Sequence, residues 1–277
     1  MNKTGKLRKM KTELDSPVRY SMILDDEEIP INEAIGNTVT LKYTGEINCI
    51  HCDRKTKKSF SQGYCYPCMR KLAQCDMCIM KPEQCHYEAG TCREPKWGED
   101  HCLQPHYVYL ANSSGVKVGI TRGTQIPTRW IDQGAVQALP IFEVSERLLS
   151  GLIEIELKQY VSDKTSWQKM LKGNIEPVDL LQVRDELLEE CEDVLSNLMQ
   201  QFGEEAIEFL EDEEPITIEY PVLEYPSKVK SFNFDKTPEI TDTLMGIKGQ
   251  YLIFDTGVIN IRKFSGYQVQ VILEKAT

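Results

Sequence analysis

Apolar side chains recur along this chain with two different periods, and the switches between them mark out its elements. Near the start, VRYSMIL (18–24) and TVTLKY (38–43) concentrate strand-forming residues on either side of the acidic turn Asp25-Asp26-Glu27-Glu28, which predicts two strands. The pattern then lapses: residues 49–105 hold few large apolar side chains and read as loops. It resumes over 106–175 as a strand (HYVYLA), a turn (NSSG), a strand (VKVGIT), a short helix near Arg129, a strand (ALPIFEV) and a helix through Glu154 and Tyr160. From Val178 to Phe202, Leu180, Leu187, Cys191, Val194, Leu198 and their neighbours recur at helical spacing above an acidic face, so Cys191 belongs to a core. The last segments, ITIEYPVLEY, KVKSFNF, QYLIFD, VINIRKF and YQVQVIL, read as strands punctuated by Asp255-Thr256-Gly257 and Ser265-Gly266. They are expected to join the N-terminal strands in one sheet or barrel.

The order of elements predicts an α+β protein in four sections: an N-terminal β segment (1–48), a cysteine-rich module (49–105), a small α/β unit (106–175), and an acidic helix with a C-terminal β region (176–277). A chain of 277 residues with 41% hydrophobic content is long enough to bury more than one core. No apolar run reaches the roughly 18 residues of a membrane span, and the basic start MNKTGKLRKMK lacks the apolar segment of a signal peptide. A cytoplasmic protein with no membrane partner is the expectation.

Charge divides unevenly. Residues 1–130 carry 19 basic and 15 acidic side chains, and the rest carry 13 and 28, within a net charge of -11. Thirteen acidic residues and no basic one lie between positions 185 and 214, a surface that repels phosphate. A nucleic acid, DNA or RNA, is therefore expected on the N-terminal half.

Nine of the ten cysteines fall between Cys49 and Cys102. Their Cys-x-x-Cys spacing, in a chain without an export signal, fits metal thiolates better than disulfides. Cys49, Cys52, Cys65 and Cys68 form two knuckles, each presenting two thiolates, which together complete the tetrahedral shell of a zinc ribbon. A second structural zinc is expected from Cys75, Cys78, Cys85 and Cys102, with Cys92 as a rival ligand; an iron–sulfur cluster on four thiolates and a loop in which some cysteines simply pack are the alternatives. In a module so poor in apolar residues, two zinc ions would supply the folding energy.

Tyr107-Val108-Tyr109-Leu110, Lys117-Val118-Gly119-Ile120-Thr121, Arg129, and Glu154 within LIEIELKQYV resemble the GIY-YIG endonuclease module. The resemblance implies two short strands, an arginine on the first helix and a glutamate on a later one. By position Tyr109 matches the family's first tyrosine, Gly119 its glycine, Arg129 the arginine that acts at the scissile phosphate, and Glu154 the carboxylate that holds Mg²⁺ or Mn²⁺. Lys117 stands where the second tyrosine belongs. The whole chain also resembles an uncharacterised bacterial family, a domain of unknown function.

Three functions follow as expectations. In the first, a zinc-stabilised protein with a degenerate GIY-YIG-like module binds nucleic acid through Lys55, Lys57, Lys58, Arg122 and Arg129, with Tyr64, Tyr66 and Trp130 stacking on bases. In the second, Tyr109, Arg129 and Glu154 are the catalytic residues of a metal-dependent endonuclease. In the third, the zinc ribbon and acidic helix serve a protein partner as an adaptor.

Overall fold

The computed structural model describes residues 1–161 and 165–274, and its two ends meet in one sheet. β1 (Asn2–Lys6) pairs with β14 (Tyr267–Leu273), which pairs with β5 (Thr38–Ile47), and the antiparallel order continues through β11 (Glu239–Lys248), β12 (Tyr251–Phe254) and β13 (Val258–Asn260). Period-two alternation decides which side chains enter the core: Tyr267, Val269 and Val271 of β14 and Val39 and Leu41 of β5 are buried. A separate three-stranded sheet runs β2 (Lys11–Glu13), β3 (Arg19–Leu24), β4 (Glu27–Pro30). The expected VRYSMIL strand is β3, but Glu27 and Glu28 belong to its hairpin partner, so only Asp25 and Asp26 make the turn, Asp25 with φ of 54°. The TVTLKY strand, longer than expected, lies in the large sheet.

The second large sheet has the order β10 (Ile216–Thr217), β8 (Gln137–Val144), β6 (His106–Asn112), β7 (Val116–Arg122), and β9 (Ile207–Phe209) also pairs with β8. β7 is its free edge. Val108 and Leu110 of β6 face α4 (Arg147–Leu157) and α6 (Leu180–Phe202), where they pack with Leu149, Ile153, Leu187 and Cys191. Tyr109 and Ala111, on the opposite face, share a core with Trp130 and Ile131 of α3 (Thr128–Asp132) and with the first large sheet. The expected amphipathic helix is α6. Asp179 caps it by accepting from the backbone N–H groups of Leu181 and Gln182, and Gly203 (φ 101°) ends it.

Two expected strands do not form as such. ITIEYPVLEY keeps only Ile216–Thr217 in a ladder, because Pro215, Pro221 and Pro226 lack the donor that longer pairing needs. KVKSFNF makes one isolated bridge, Ser231 to Val258. VINIRKF is half right: β13 stops at Asn260, whose side chain accepts from the Lys263 backbone N–H at 3.1 Å and starts the 3-10 turn Ile261–Phe264. That turn carries Arg262 to the site described next.

Candidate metal centre and arginine cleft

Cys49 follows the end of β5, and Cys52 closes a turn in which the Asp53 N–H donates to the Cys49 carbonyl at 3.0 Å. Cys65 caps α1 (Tyr66–Lys71) and Cys68 lies within it, the helix being started by Pro67. The four sulfurs lie within 4.8 Å of one another. Cys52 and Cys65 Sγ are 3.7 Å apart, against about 3.8 Å for the edge of a tetrahedron with Zn–S bonds of about 2.3 Å. Burial opposes ionisation of Cys49, yet backbone N–H donors from Cys52, Cys65 and His51 hold its thiol down at about 6. Burial, and then the three neighbouring sulfurs, push Cys68 up. Four sulfurs this close ionise together only around a cation, and an all-thiolate donor set fits zinc. The expected first metal site is thus brought together at a geometry that can hold an ion.

The remaining cysteines are distributed differently from the expected set. Cys78, Cys85 and Cys102 line one small cavity, with Cys92 in it as well, while Cys75 is not among its lining residues and lies near Ser61 and Cys49. Asp76, Cys78 and His86 form a further group whose ligand atoms fall within 4.8 Å. The Asp76 carboxylate already pairs with Arg93 Nε at 2.7 Å and accepts from the Met77 N–H.

A cleft of about 330 Å³ opens beside β7 where the cysteine-rich module meets both large sheets. Arg122 enters it from the end of β7, Arg129 from α3, Arg147 from the first turn of α4 and Arg262 from the 3-10 turn after β13. Among the described residues, none of the four is in a salt bridge. Among the described residues the one carboxylate in the lining is Glu154, which pairs with Lys158 at 3.2 Å. Burial draws Arg147 and Arg262 below the ordinary guanidinium value, though both stay charged. A second cavity, of about 400 Å³, contains Arg8, Lys9 and Tyr64, and Arg262 lines both.

The cysteine-rich module forms the outer wall of the cleft through Ile79, Met80 and Pro82. Two contacts hold that wall on α4. Arg147 Nη2 donates to the Ile79 carbonyl at 2.7 Å, and a Cβ at Gly151 would stand 2.5 Å from Pro82 Cβ, so only glycine permits the approach.

The residues matched to the GIY-YIG pattern are divided by burial. Arg129 and Glu154 line the cleft. Tyr109 is fully buried under Trp130, its hydroxyl donating to Gln133 Oε1 at 3.2 Å, and burial raises it above the usual phenol range. Lys117 is also buried, with Nζ donating to the same Gln133 oxygen and to Thr165 Oγ1. Trp130 is buried and closed to a stacking base, whereas Tyr66 is exposed. Lys55, Lys57 and Lys58 are exposed on the ribbon and do not line the cleft; Lys55 pairs with Glu46. Arg147 and Arg262 were not singled out by sequence: an arginine in a helix N-terminus and another in an apparent strand carry no local mark.

Fold and site define an α+β protein with two large antiparallel sheets and a cysteine-rich module whose Cys49, Cys52, Cys65 and Cys68 lie close enough to hold a metal ion. The chain belongs to the family described as protein of unknown function (DUF2797), whose model matches residues 36–269. No curated protein matches the chain, and neither does any solved structure.

Proposed function

We propose that this protein binds nucleic acid in the arginine cleft, with the zinc-stabilised module as one wall. The observation that carries the reading is the convergence of Arg122, Arg129, Arg147 and Arg262 on one cleft beside a single carboxylate. Like charges gathered this closely repel, and an anion supplies the compensation; guanidinium groups match phosphate oxygens two at a time. Arg8, which lines the adjoining cavity with Arg262, extends the basic track as a strand of several phosphates requires; Lys9 beside it is already paired with Asp132.

Metal-dependent cleavage in the same cleft is the second reading, favoured by the presence of Glu154 and Arg129 in one lining. Against it stand the buried Tyr109 hydroxyl and Lys117 amine, both bonded to Gln133 and neither among the cleft's lining residues. A GIY-YIG-like module without an accessible tyrosine binds and does not cut. The test is fluorescence anisotropy with single-stranded and duplex DNA and RNA, alongside cleavage assays in Mg²⁺ and Mn²⁺. Binding that drops at least about tenfold in Arg129→Ala, with no cleavage above background, is expected. Cleavage lost in Glu154→Gln would establish the nuclease, and absence of binding at low salt would hand the function to a protein partner.

A further inference from the structure

We infer a second structural zinc centre, ligated by the four thiolates of Cys78, Cys85, Cys92 and Cys102. The four sulfur-bearing residues line one cavity of about 20 Å³, room for a single ion and not for a small-molecule ligand. They reach it from four separate places: the 3-10 turn Met77–Ile79, the end of the turn Pro82–Gln84, the loop at Cys92, and the end of α2 (Pro95–His101). Apolar packing contributes little to this stretch. Between residues 49 and 105 the buried apolar side chains, cysteines aside, are Leu72, Ala73 and Pro82. Short turns on so small a core do not hold together without a cross-link, and a tetrahedral metal joining four of them is one.

Cys92 takes the place that spacing alone assigned to Cys75. A Cys75-Asp76-Met77-Cys78 knuckle has the familiar spacing, but the Cys75 side chain lies by Ser61 and the first centre while Cys78 lines the second cavity. No three of these sulfurs lie within 4.8 Å of one another as those of the first centre do, so closing on one ion requires side-chain adjustment. The mixed group Asp76, Cys78 and His86 is the competing donor set. Asp76 and His86 line the same cavity, but the Asp76 carboxylate is bound to Arg93, and His86, with Nδ1 bonded to Thr91 Oγ1 at 2.8 Å, turns Nε2 to Asp76 at 3.4 Å. Those contacts make Asp76 and His86 supports of the loop that carries the ligands. Independently of the nucleic-acid reading, the centre explains how the cleft wall is fixed: Cys78 directly precedes Ile79, and the Cys102 carbonyl accepts from the Arg147 N–H at 2.8 Å.

The experiment uses the full chain purified under reducing conditions, with zinc counted by elemental analysis and its ligands read by X-ray absorption at the zinc edge. Wild type should hold two zinc ions per chain, with a single sulfur shell near 2.3 Å and no nitrogen or oxygen shell near 2.0 Å. Cys92→Ser should retain one zinc, and Cys75→Ser should retain two. One zinc in the wild type, a nitrogen or oxygen shell, or loss of the second zinc from Cys75→Ser while Cys92→Ser keeps it would each overturn the assignment. The wild-type absorption measurement separates the four-thiolate centre from the mixed set even where a variant fails to fold, and retention of two zinc ions by Cys75→Ser separates Cys92 from Cys75.

Discussion

Replacing Arg262 by alanine removes the one cation that lines both basic cavities, and the consequence for binding can be worked out from the cleft. A charge-assisted hydrogen bond to phosphate contributes about 1.5–3 kcal/mol, so the variant should bind single strands about 10- to 150-fold more weakly at low salt. The salt dependence is the sharper test. Each phosphate neutralised on a single strand contributes about -0.7 to the slope of log affinity against log salt. Four arginines give a slope near about -2.8, or a loss of about 50-fold between roughly 50 and 200 mM salt; three give about -2.1, or about 18-fold. Anisotropy titrations at several salt concentrations measure both quantities on the same sample. Arg262 is partly exposed on a turn, and its backbone is held by the Asn260 cap, so the variant should melt with the wild type. A variant with weaker binding but an unchanged slope would show that Arg262 shapes the cleft without meeting phosphate, and a variant with unchanged binding would refute the cleft as the binding site.

Gly119→Ala should destabilise the protein by about 1–3 kcal/mol in denaturant melts, because the new Cβ would sit 2.7 Å from the buried Tyr109 ring; a neutral effect would mean that the ring has room to shift. His106 is fully buried, with Nδ1 2.7 Å from the Gln104 carbonyl, and burial pushes it down to about 4. The unfolded chain, in which the imidazole titrates at its ordinary value of about 6.5, binds the proton first, so His106 lowers stability as pH falls from about 6.5 to 4 and no further below. Its contribution is on the order of 3 kcal/mol, and His106→Phe should flatten that stretch of the pH–stability curve relative to wild type; parallel curves would refute the burial argument. Strong chelation should open residues 49–105 to limited proteolysis while both large sheets persist by circular dichroism, an order that would be overturned by simultaneous loss.

What could be read from sequence followed the range of the interactions. The first metal site was legible because two knuckles carry all four ligands in twenty residues, and each knuckle is a local turn. α6 was legible because its apolar stripe and Asp179 cap are both written in consecutive residues. Of the two N-terminal strands expected to join the C-terminal ones, β5 does so beside β14 and β11, whereas β3 went to a smaller sheet because its nearest partner, β4, follows it directly; β1, which pairs with β14, was not foreseen. The stretch after residue 215 misled: its alternation suits a strand, but its prolines refuse the ladder. The arginine cleft was half visible. Arg122 and Arg129 stood out within the basic half of the chain, but Arg147 and Arg262 join them only through tertiary contacts that no spacing encodes.

The cleft also resolves how a chain with a pI of about 5.0 offers a basic site at all. Sheet order separates the two signs. The acidic face belongs to α6, which packs over β8 and β6, whereas the arginines gather beside β7, the free edge on the far side of β6. Four guanidinium groups against Glu154, itself paired with Lys158, keep the local potential positive even though the chain as a whole is negative. At physiological salt the screening length is about 8 Å, so a ligand in the cleft responds to the groups lining it far more than to charges across the sheet. On the proposed reading, a polyanion is turned away by the α6 face and admitted at the β7 edge, so the negative net charge acts as orientation and does not argue against a phosphate ligand.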